Sequence, residues 1–330
     1  MEKKELAVVI PVWKSAFLSQ TLQSVEALSG SKHRVYLFDD ASPEATRKVL
    51  QPFLDKNPGW SYHRFENNLG GLNLAAHWNR CISACEEDWI WLFSDDDEME
   101  PACLDAFFET LQNHPGHSVF RFAFRMVDES GSPMPVKENN AAVLQGSEFA
   151  RLRFYREMDS SAVEFIFSRR AWEEEGGFPE FPAGWCADDA AWILFSGRPG
   201  IRLIPGPVVR WRFSGQSISG SGGSWLKKKL EASLAFIRWF NGRYPETAGS
   251  PSFRAEQVIW LRLQMVHQHY LPSIAEVLSM IYRLNFPGLV NRLRCFQDLY
   301  CLSYVYHCRV LSRKRPSGIR YWLSLLLPAF

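Results

Sequence analysis

Three consecutive aspartates, Asp95, Asp96 and Asp97, form the most chemically distinctive cluster of this sequence. Carboxylates this close repel one another and raise one another's pKa unless a cation or a set of hydrogen-bond donors compensates. They offer only oxygen ligands, which suit Mg²⁺ or Mn²⁺ better than zinc. An alternative is that Asp97 caps a helix starting near Pro101 while its neighbours interact with the helix dipole. The cluster predicts a site for a hard divalent cation.

A second acidic pair, Asp188 and Asp189, lies in the middle of the chain. The pair opens a helical pattern over residues 190–195, where an acidic side chain caps the helix or interacts favourably with its dipole. Spacing alone does not distinguish a capping carboxylate from one that takes part in a reaction.

The first acidic cluster follows an alternating series of strand and helix patterns. The sequence predicts strands over residues 6–12, 35–38, 61–65 and 89–93 and helices over residues 16–28, 44–54 and 74–85. Repeated strand–helix–strand units form parallel sheets with right-handed crossovers. Ligands bind such sheets at the carboxyl ends of the strands, so the residues that follow each strand are candidates for binding.

Polar clusters follow these four strands, at residues 11–14, 39–42, 67–71 and 95–97. In the first, Trp13 is suited to stack on a planar base. Asp40 can accept a hydrogen bond from a base or a ribose, or it can cap the following helix. Asn68 belongs to a glycine-containing turn. Neither a dinucleotide-binding glycine motif nor a P-loop is present, so we expect a metal and side chains to bind any phosphate.

Composition is that of an ordinary globular protein with 330 residues, 46% hydrophobic and 22% charged, enough for one large core or two modest ones. A formal net charge of +1 does not indicate nucleic-acid binding. Seven cysteines without zinc-like or disulfide-like spacing indicate a reducing cytoplasm. We expect neither a signal peptide nor a membrane-spanning helix, which requires about 18–20 apolar residues.

The last third of the sequence is predicted to be helical, over residues 226–240, 252–271, 274–284 and 289–311. We therefore expect two domains, residues 1–222 and 223–330. Residues 309–330 combine basic and aromatic side chains and suit peripheral contact with an anionic membrane on the inner face of the cytoplasmic membrane. An ordinary helical cap with solvated basic side chains is the alternative.

Four ordered motifs resemble those of family 2 glycosyltransferases, which have the nucleotide-diphospho-sugar-binding GT-A fold. The motifs are Val8-Val9-Ile10-Pro11-Val12-Trp13, Leu37-Phe38-Asp39-Asp40-Ala41-Ser42, Asn68-Leu69-Gly70 followed by His77-Trp78-Asn79-Arg80, and Leu92-Phe93-Ser94-Asp95-Asp96-Asp97 with Pro101. The resemblance implies an α/β fold, GT-A-like (Rossmann-like), with a mixed, mostly parallel sheet flanked by helices and a helical C-terminal extension. Two departures are Trp13-Lys14 in place of Tyr-Asn and Ser94 in place of the first aspartate of Asp-x-Asp-Asp.

The resemblance also implies roles for individual residues. Pro11, Trp13 and Asp40 would hold the nucleoside of a nucleotide-diphospho-sugar. Asp96, with Asp95 or Asp97, would hold Mn²⁺ or Mg²⁺ on the diphosphate. The remaining assignments are that Asn68 lies at the donor site, that Asp188 or Asp189 is the catalytic base, and that Arg212 reaches a phosphate beside the Gly/Ser-rich residues 220–224.

These assignments predict an inverting, metal-dependent glycosyltransferase that acts on a glycan or lipid-linked glycan acceptor in bacterial surface polysaccharide or lipopolysaccharide synthesis. One alternative is a nucleotidyltransferase, which would need a basic, glycine-rich loop where residues 11–14 stand. Another is a non-catalytic protein that either binds sugar nucleotides or serves as a scaffold. The presence of both acidic clusters argues against a scaffold.

Overall fold

The computed structural model describes residues 5–30, 32–215, 217, 225–267, 270–285 and 289–308. By its internal contacts the chain divides into two compact units. The first comprises Met1–Ala150 and Met158–Gly220, and the second comprises Arg151–Glu157 and Ser221–Phe330. The basic, aromatic segment 309–330 and the whole of the Gly/Ser-rich segment 220–224 lie outside the described residues.

The first unit contains ten strands and the helices that cover them. Its strands are β1 (Leu6–Val12), β2 (His33–Asp39), β3 (Ser61–Arg64), β4 (Trp89–Leu92), β5 (Glu98–Met99), β6 (Val119–Val127), β7 (Pro133–Met134), β8 (Val143–Leu144), β9 (Phe165–Ser168) and β10 (Ile201–Arg212). Its helices are α1 (Leu18–Glu26), α2 (Glu44–Lys56), α3 (Leu74–Ser83), α4 (Cys103–Asn113), the start of α5 (Gly146–Phe154), α6 (Arg169–Glu174) and α7 (Ala187–Phe195), with short 3₁₀ turns at Ala162–Glu164 and Pro182–Gly184.

All ten strands belong to one sheet, in the order β3-β2-β1-β4-β9-β6-β10-β5, with β7 beside β6 and β8 beside β10. Strands β3, β2, β1 and β4 run parallel, as do β6 and β10. Strand β9 lies between β4 and β6 and is antiparallel to both. The mixed, mostly parallel sheet that the sequence predicts is thus confirmed. The antiparallel position of β9 was not predicted, because a short apolar run carries no information about strand direction.

Apolar burial accounts for the centre of this sheet. All four residues of β4 are buried, which is the pattern of a strand covered on both faces. Trp91 is fully buried, its ring centroid lies 5.1 Å from that of Phe122, and its indole N–H donates to the Val163 carbonyl at 2.8 Å. The central strands are therefore firmly held, and their carboxyl ends provide fixed positions for the loops that follow.

Strand β10 is bent in its middle by Pro205, Gly206 and Pro207. Proline has no N–H for the ladder, and Gly206 has a φ of 102°, which a residue with a side chain rarely adopts. Pairing with β6 is irregular between Leu203 and Val208 for this reason. Beyond the bend, β10 pairs with the short strand β5, which directly follows the three aspartates. The end of β10 is thereby held beside the acidic turn.

The second unit is helical. Its helices are α8 (Trp225–Arg243), α9 (Pro245–Gly249), α10 (Pro251–His267), α11 (Ile274–Leu284), α12 (Leu289–Phe296) and α13 (Ser303–Tyr306), and a π-helical segment spans Gln297–Leu302. Within this unit Phe154 packs against Phe236 and Phe253, and Arg156 forms an ion pair with Glu256 at 3.1 Å. No helix in the described part of the chain is long and apolar enough to cross a membrane.

Candidate functional site

The loop after β1 and the loop after β4 are joined by one carboxylate. Asp95 Oδ2 accepts the backbone N–H of Trp13 at 2.8 Å and that of Lys14 at 2.6 Å. These loops meet because β1 and β4 are adjacent parallel strands, whose carboxyl ends lie at the same edge of the sheet. Asp95 is only 4% exposed, so the two donors compensate a largely desolvated charge. The backbone at Trp13 is therefore fixed relative to the acidic turn.

The Lys14 side chain supplies a cation to the same turn. Its ammonium lies 3.1 Å from Asp95 Oδ1 and hydrogen-bonds to Asp96 Oδ2. Burial alone would lower the pKa of Lys14, but the charges of the two aspartates and their hydrogen bonds raise this pKa above its usual value. Burial also raises the pKa of Asp96, and the Lys14 charge opposes that shift. Lys14 thus balances part of the charge of the cluster.

Asp97, one of the three candidate metal ligands, is 1% exposed and binds a backbone group. Its Oδ1 accepts the N–H of Arg212 at 2.6 Å, which ties the acidic turn to the end of β10. Its Oδ2 is buried and forms no hydrogen bond of good geometry with a described residue. Burial, followed by the charge of Asp96, raises the pKa of Asp97 well above its usual value.

The Arg212 guanidinium, expected to reach a phosphate, is buried among protein acceptors. It donates to the carbonyls of Asp96 and Asp128, each at 3.1 Å, and to the Glu98 carboxylate at 2.6 Å. Its carbon lies 4.4 Å from the centroid of the Phe17 ring. These contacts use the planar fork of the guanidinium inside the protein. In this arrangement the Arg212 side chain stabilises the backbone of the acidic turn.

Asp40 organises the turn after β3. Its Oδ1 accepts the N–H of Leu69 at 2.9 Å and a hydrogen bond from Arg80, and its Oδ2 accepts the N–H of Gly70 at 2.7 Å and the Asn68 amide at 3.0 Å. A Cβ at Gly70 would lie 2.8 Å from Asp40 Oδ2, so a larger residue at this position would displace the carboxylate from its hydrogen bonds. Asp40 and Asn68, both predicted to lie at the donor site, thus hold the turn together.

His77 and Arg80 lie behind this turn on helix α3, three residues apart on one face. The Arg80 Nε donates to His77 Nδ1 at 2.9 Å, and the Arg80 guanidinium lies 3.7 Å from the centroid of the Phe65 ring. Because Nδ1 accepts, the neutral ring carries its proton on Nε2. Burial lowers the pKa of His77 to about 4. Neither residue has a role predicted from the sequence, although their spacing of three residues indicates that they share a face of the helix.

Trp13 combines a fixed backbone with an exposed ring. Its carbonyl accepts from the Thr46 hydroxyl at 3.0 Å, and its N–H donates to Asp95. The residue is nevertheless 49% exposed, whereas the neighbouring Pro11 is half-buried within β1. A large aromatic side chain exposed at the edge of the sheet, on a backbone held at both ends, is suited to stacking with a planar ligand.

Asp188 and Asp189 occupy the first turn of α7, where the sequence predicts a helix start. The preceding residue, Cys186, has a left-handed backbone with φ of 65°. Asp189 is buried at 5% exposure, while Asp188 is half-buried. The segment before this helix packs closely on the start of α3. A Cβ added at Gly184 would lie only 2.9 Å from the Cβ of Leu74. The pair is therefore anchored to the helix that follows the Asp40-bound turn.

The acidic turn provides some, but not all, of the ligands that a divalent cation needs. Among the described residues, no three His, Cys, Asp or Glu side chains are arranged to hold a metal ion. Asp95 and Asp96, however, already share one cation, the Lys14 ammonium. Mg²⁺ often binds through one or two carboxylates together with substrate phosphates and waters. The donor chemistry of Asp95 and Asp96 suits such shared ligation.

Replacement of Arg212 by alanine tests its place in the fold. We expect Arg212→Ala to destabilise the protein by on the order of 3 kcal/mol, because it leaves two carbonyls without their donor and removes the shorter of the two ion pairs of Glu98. Arg210→Ala is the matched control, since Arg210 is exposed and its contact with Glu98 is 3.5 Å long. Thermal unfolding measures both. An unchanged midpoint with lost nucleotide binding would instead assign Arg212 to the phosphate.

The low pKa of His77 makes stability depend on pH. Below pH 6.5 the unfolded chain binds a proton at this histidine, whereas the folded chain does so only near pH 4. Stability from this group is complete above pH 6.5 and is lost as the pH falls towards 4, by on the order of 3 kcal/mol. We expect the Tm of His77→Gln to fall less steeply over this range than that of the wild type. Parallel curves of Tm against pH for the two proteins would contradict the lowered pKa of His77.

Comparison with known proteins identifies the family. The chain matches "Glycosyl transferase family 2" over residues 7–175, just over half of its length. S. aureus TarS 1-349 in complex with UDP-GlcNAc is similar in structure, with a TM-score of 0.61, 13% identity, and coverage of 92% of this chain and 86% of TarS 1-349. The same protein in complex with UDP gives a TM-score of 0.58 at 12% identity, again covering 92% and 86% of the two chains. The predicted GT-A fold and glycosyltransferase activity are confirmed. The chain belongs to glycosyltransferase family 2.

Proposed function

We propose that the protein transfers a sugar from a nucleotide-diphospho-sugar to an acceptor hydroxyl, with inversion at the anomeric carbon and with the help of a divalent cation. The observation that carries the proposal is the joining of the four strand-end loops. Asp95 binds the loop after β1, and Asp40 binds the turn after β3. An exposed indole, a cation-binding acidic pair and a rigid turn are thereby built around the carboxyl ends of four parallel strands.

Trp13 is the residue we assign to the nucleoside, with Pro11 supporting the strand end beneath it. The exposed indole offers a base a flat surface, and its backbone does not need to move on binding. Asp40 and Asn68 act through the turn that they hold, because Asp40 already accepts hydrogen bonds from four groups of this turn and of α3. The nucleoside subsite is thus shaped before the donor arrives.

Asp95 and Asp96 are the residues we assign to the cation, which would be Mn²⁺ or Mg²⁺. The bound cation would neutralise charge that develops on the departing diphosphate. Asp97 and Arg212 do not bind the cation in this proposal. The contact between the Asp97 carboxylate and the Arg212 backbone fixes the turn that carries its ligands. The carbonyl of Asp96 is likewise held by the Arg212 guanidinium. These contacts set the positions of Asp95 and Asp96.

The catalytic base is assigned to the pair Asp188 and Asp189. One carboxylate takes the acceptor proton as the hydroxyl oxygen bonds to the anomeric carbon, and the bond from that carbon to the diphosphate oxygen breaks on the opposite face. Configuration is therefore inverted. Asp188 is accessible to an acceptor, whereas the burial of Asp189 provides desolvation, so each has one property that a base requires. Substitution of each residue distinguishes them.

A glycan or lipid-linked glycan is the acceptor we propose, in bacterial surface polysaccharide or lipopolysaccharide synthesis. This part of the proposal rests on the general use of the family fold and not on a contact in the structure. The donor is better supported, because TarS 1-349, which resembles this chain in fold, binds UDP-GlcNAc and UDP in crystals. UDP is therefore the first nucleotide to test.

Nucleotide binding is tested by thermal shift with and without Mn²⁺. We expect UDP with Mn²⁺ to raise the Tm, since a ligand at 100 times its Kd stabilises the folded state by about 2.7 kcal/mol. Trp13→Ala should weaken UDP binding about 5- to 150-fold, because stacking on an aromatic side chain contributes about 1–3 kcal/mol per base. Tyr282→Ala, which removes an 86% exposed ring from the second unit, is the control. No shift with any nucleoside diphosphate would favour a scaffold.

The base is tested with Asp188→Asn and Asp189→Asn. We expect one variant to bind UDP with Mn²⁺ like the wild type and to lose sugar transfer about 100-fold or more, because the amide cannot accept the proton. Asp55→Asn, an exposed substitution on α2, controls for loss of charge alone. Transfer and donor hydrolysis are measured with UDP-sugars. Wild-type transfer by both variants would remove the pair from the mechanism.

A further inference from the structure

Lys14 makes an unusual set of contacts for a lysine that follows a strand. Its backbone N–H donates to Asp95 Oδ2 at 2.6 Å, and its ammonium contacts both Asp95 and Asp96. The side chain is only 18% exposed, although lysine ordinarily keeps its ammonium in water. One residue therefore contributes a hydrogen bond from its backbone and a full positive charge to the same pair of carboxylates.

The Lys14 ammonium and a divalent cation would use the same carboxylate oxygens. Asp95 Oδ1 and Asp96 Oδ2 are the oxygens within reach of the ammonium. Two carboxylates with one ammonium carry a net charge of −1, so the pair attracts a second cation only weakly while Lys14 remains. A divalent ion added beside the ammonium would also be repelled by it at short range. Metal binding to this pair therefore requires the ammonium to leave.

Two features of Lys14 allow that departure. The backbone hydrogen bond of Lys14 to Asp95 is made by the N–H and not by the side chain, so it does not have to break when the ammonium moves. The side chain retains partial access to solvent and has several rotatable bonds. A diphosphate bound beside the acidic turn would offer the released ammonium a new anionic partner and would give the metal additional oxygen ligands.

We propose that Lys14 is a built-in competitor of the divalent cation. Its ammonium occupies the Asp95–Asp96 pair in the nucleotide-free protein, and the metal binds tightly only together with a nucleoside diphosphate. The second half of this proposal rests on the proposed function, whereas the first half concerns only Lys14, the two aspartates and the metal. Lys14 is thus a positioning residue that couples metal binding to donor binding.

The test is Mn²⁺ binding to the full chain, measured from the EPR signal of free aqueous Mn²⁺ with and without UDP. We expect the wild type to bind Mn²⁺ weakly alone and about tenfold or more tightly with UDP. Lys14→Met should bind Mn²⁺ alone about tenfold or more tightly than the wild type and should gain less from UDP. Lys48→Met, at an exposed position of α2, should behave like the wild type. Lys14→Gln repeats the test with a polar side chain.

The outcomes separate this inference from the proposed function. Equal or weaker Mn²⁺ binding by both folded Lys14 variants, without nucleotide, would overturn the competition. If UDP binds but the Lys14 variants do not differ from the wild type, the competition fails while the proposed function stands. If the variants gain Mn²⁺ affinity but UDP has no effect on any protein, competition stands and the coupling to a diphosphate fails. If the double variant Lys14→Met, Asp96→Asn loses the increased Mn²⁺ affinity of Lys14→Met, the ion binds at the acidic pair.

Discussion

The candidate site depends on the hydrogen bonds and the ion pair of the Asp95 carboxylate. A charge that is almost completely removed from water requires compensation, and here it receives two backbone N–H groups, from Trp13 and Lys14, and one ammonium. The donors come from the loop after β1 and the acceptor from the loop after β4. The same contacts that solvate the charge therefore fix the exposed indole and the lysine relative to the acidic turn.

The same physical device recurs along this edge of the sheet. Asp40 stabilises the turn after β3 by accepting hydrogen bonds from its backbone N–H groups. Asp97 accepts a hydrogen bond from the backbone at the end of β10 and so connects the acidic turn to that strand. Burial of each carboxylate makes these hydrogen bonds strong, because no water competes for the acceptor. The acidic residues thus have two roles. Asp40 and Asp97 join loops, Asp96 is assigned to the cation, and Asp95 does both.

Charge balance around the acidic turn has a consequence for function. Lys14 and Arg212 both lie against the three aspartates, Lys14 at their carboxylates and Arg212 at their backbone. The negative charge of the turn is therefore partly compensated by the protein itself. Binding of a metal and a diphosphate is then an exchange of ionic partners, so its free energy depends on the contacts that are given up as well as on those that are gained. Under our proposal for Lys14, the enzyme would therefore bind its metal and its donor interdependently.

The sequence by itself determined the alternation of strands and helices, the placement of polar clusters after the strands, and the family, because periodicity and ordered motifs are local properties of the chain. Only the tertiary structure decided the antiparallel insertion of β9 and the contacts of Asp40, Lys14 and Arg212. Their partners are carboxylates or backbone groups of loops distant in sequence, and any residue type supplies a backbone N–H or carbonyl. No residue pattern therefore marks such partners, and they become visible only when the sheet brings its strand ends together.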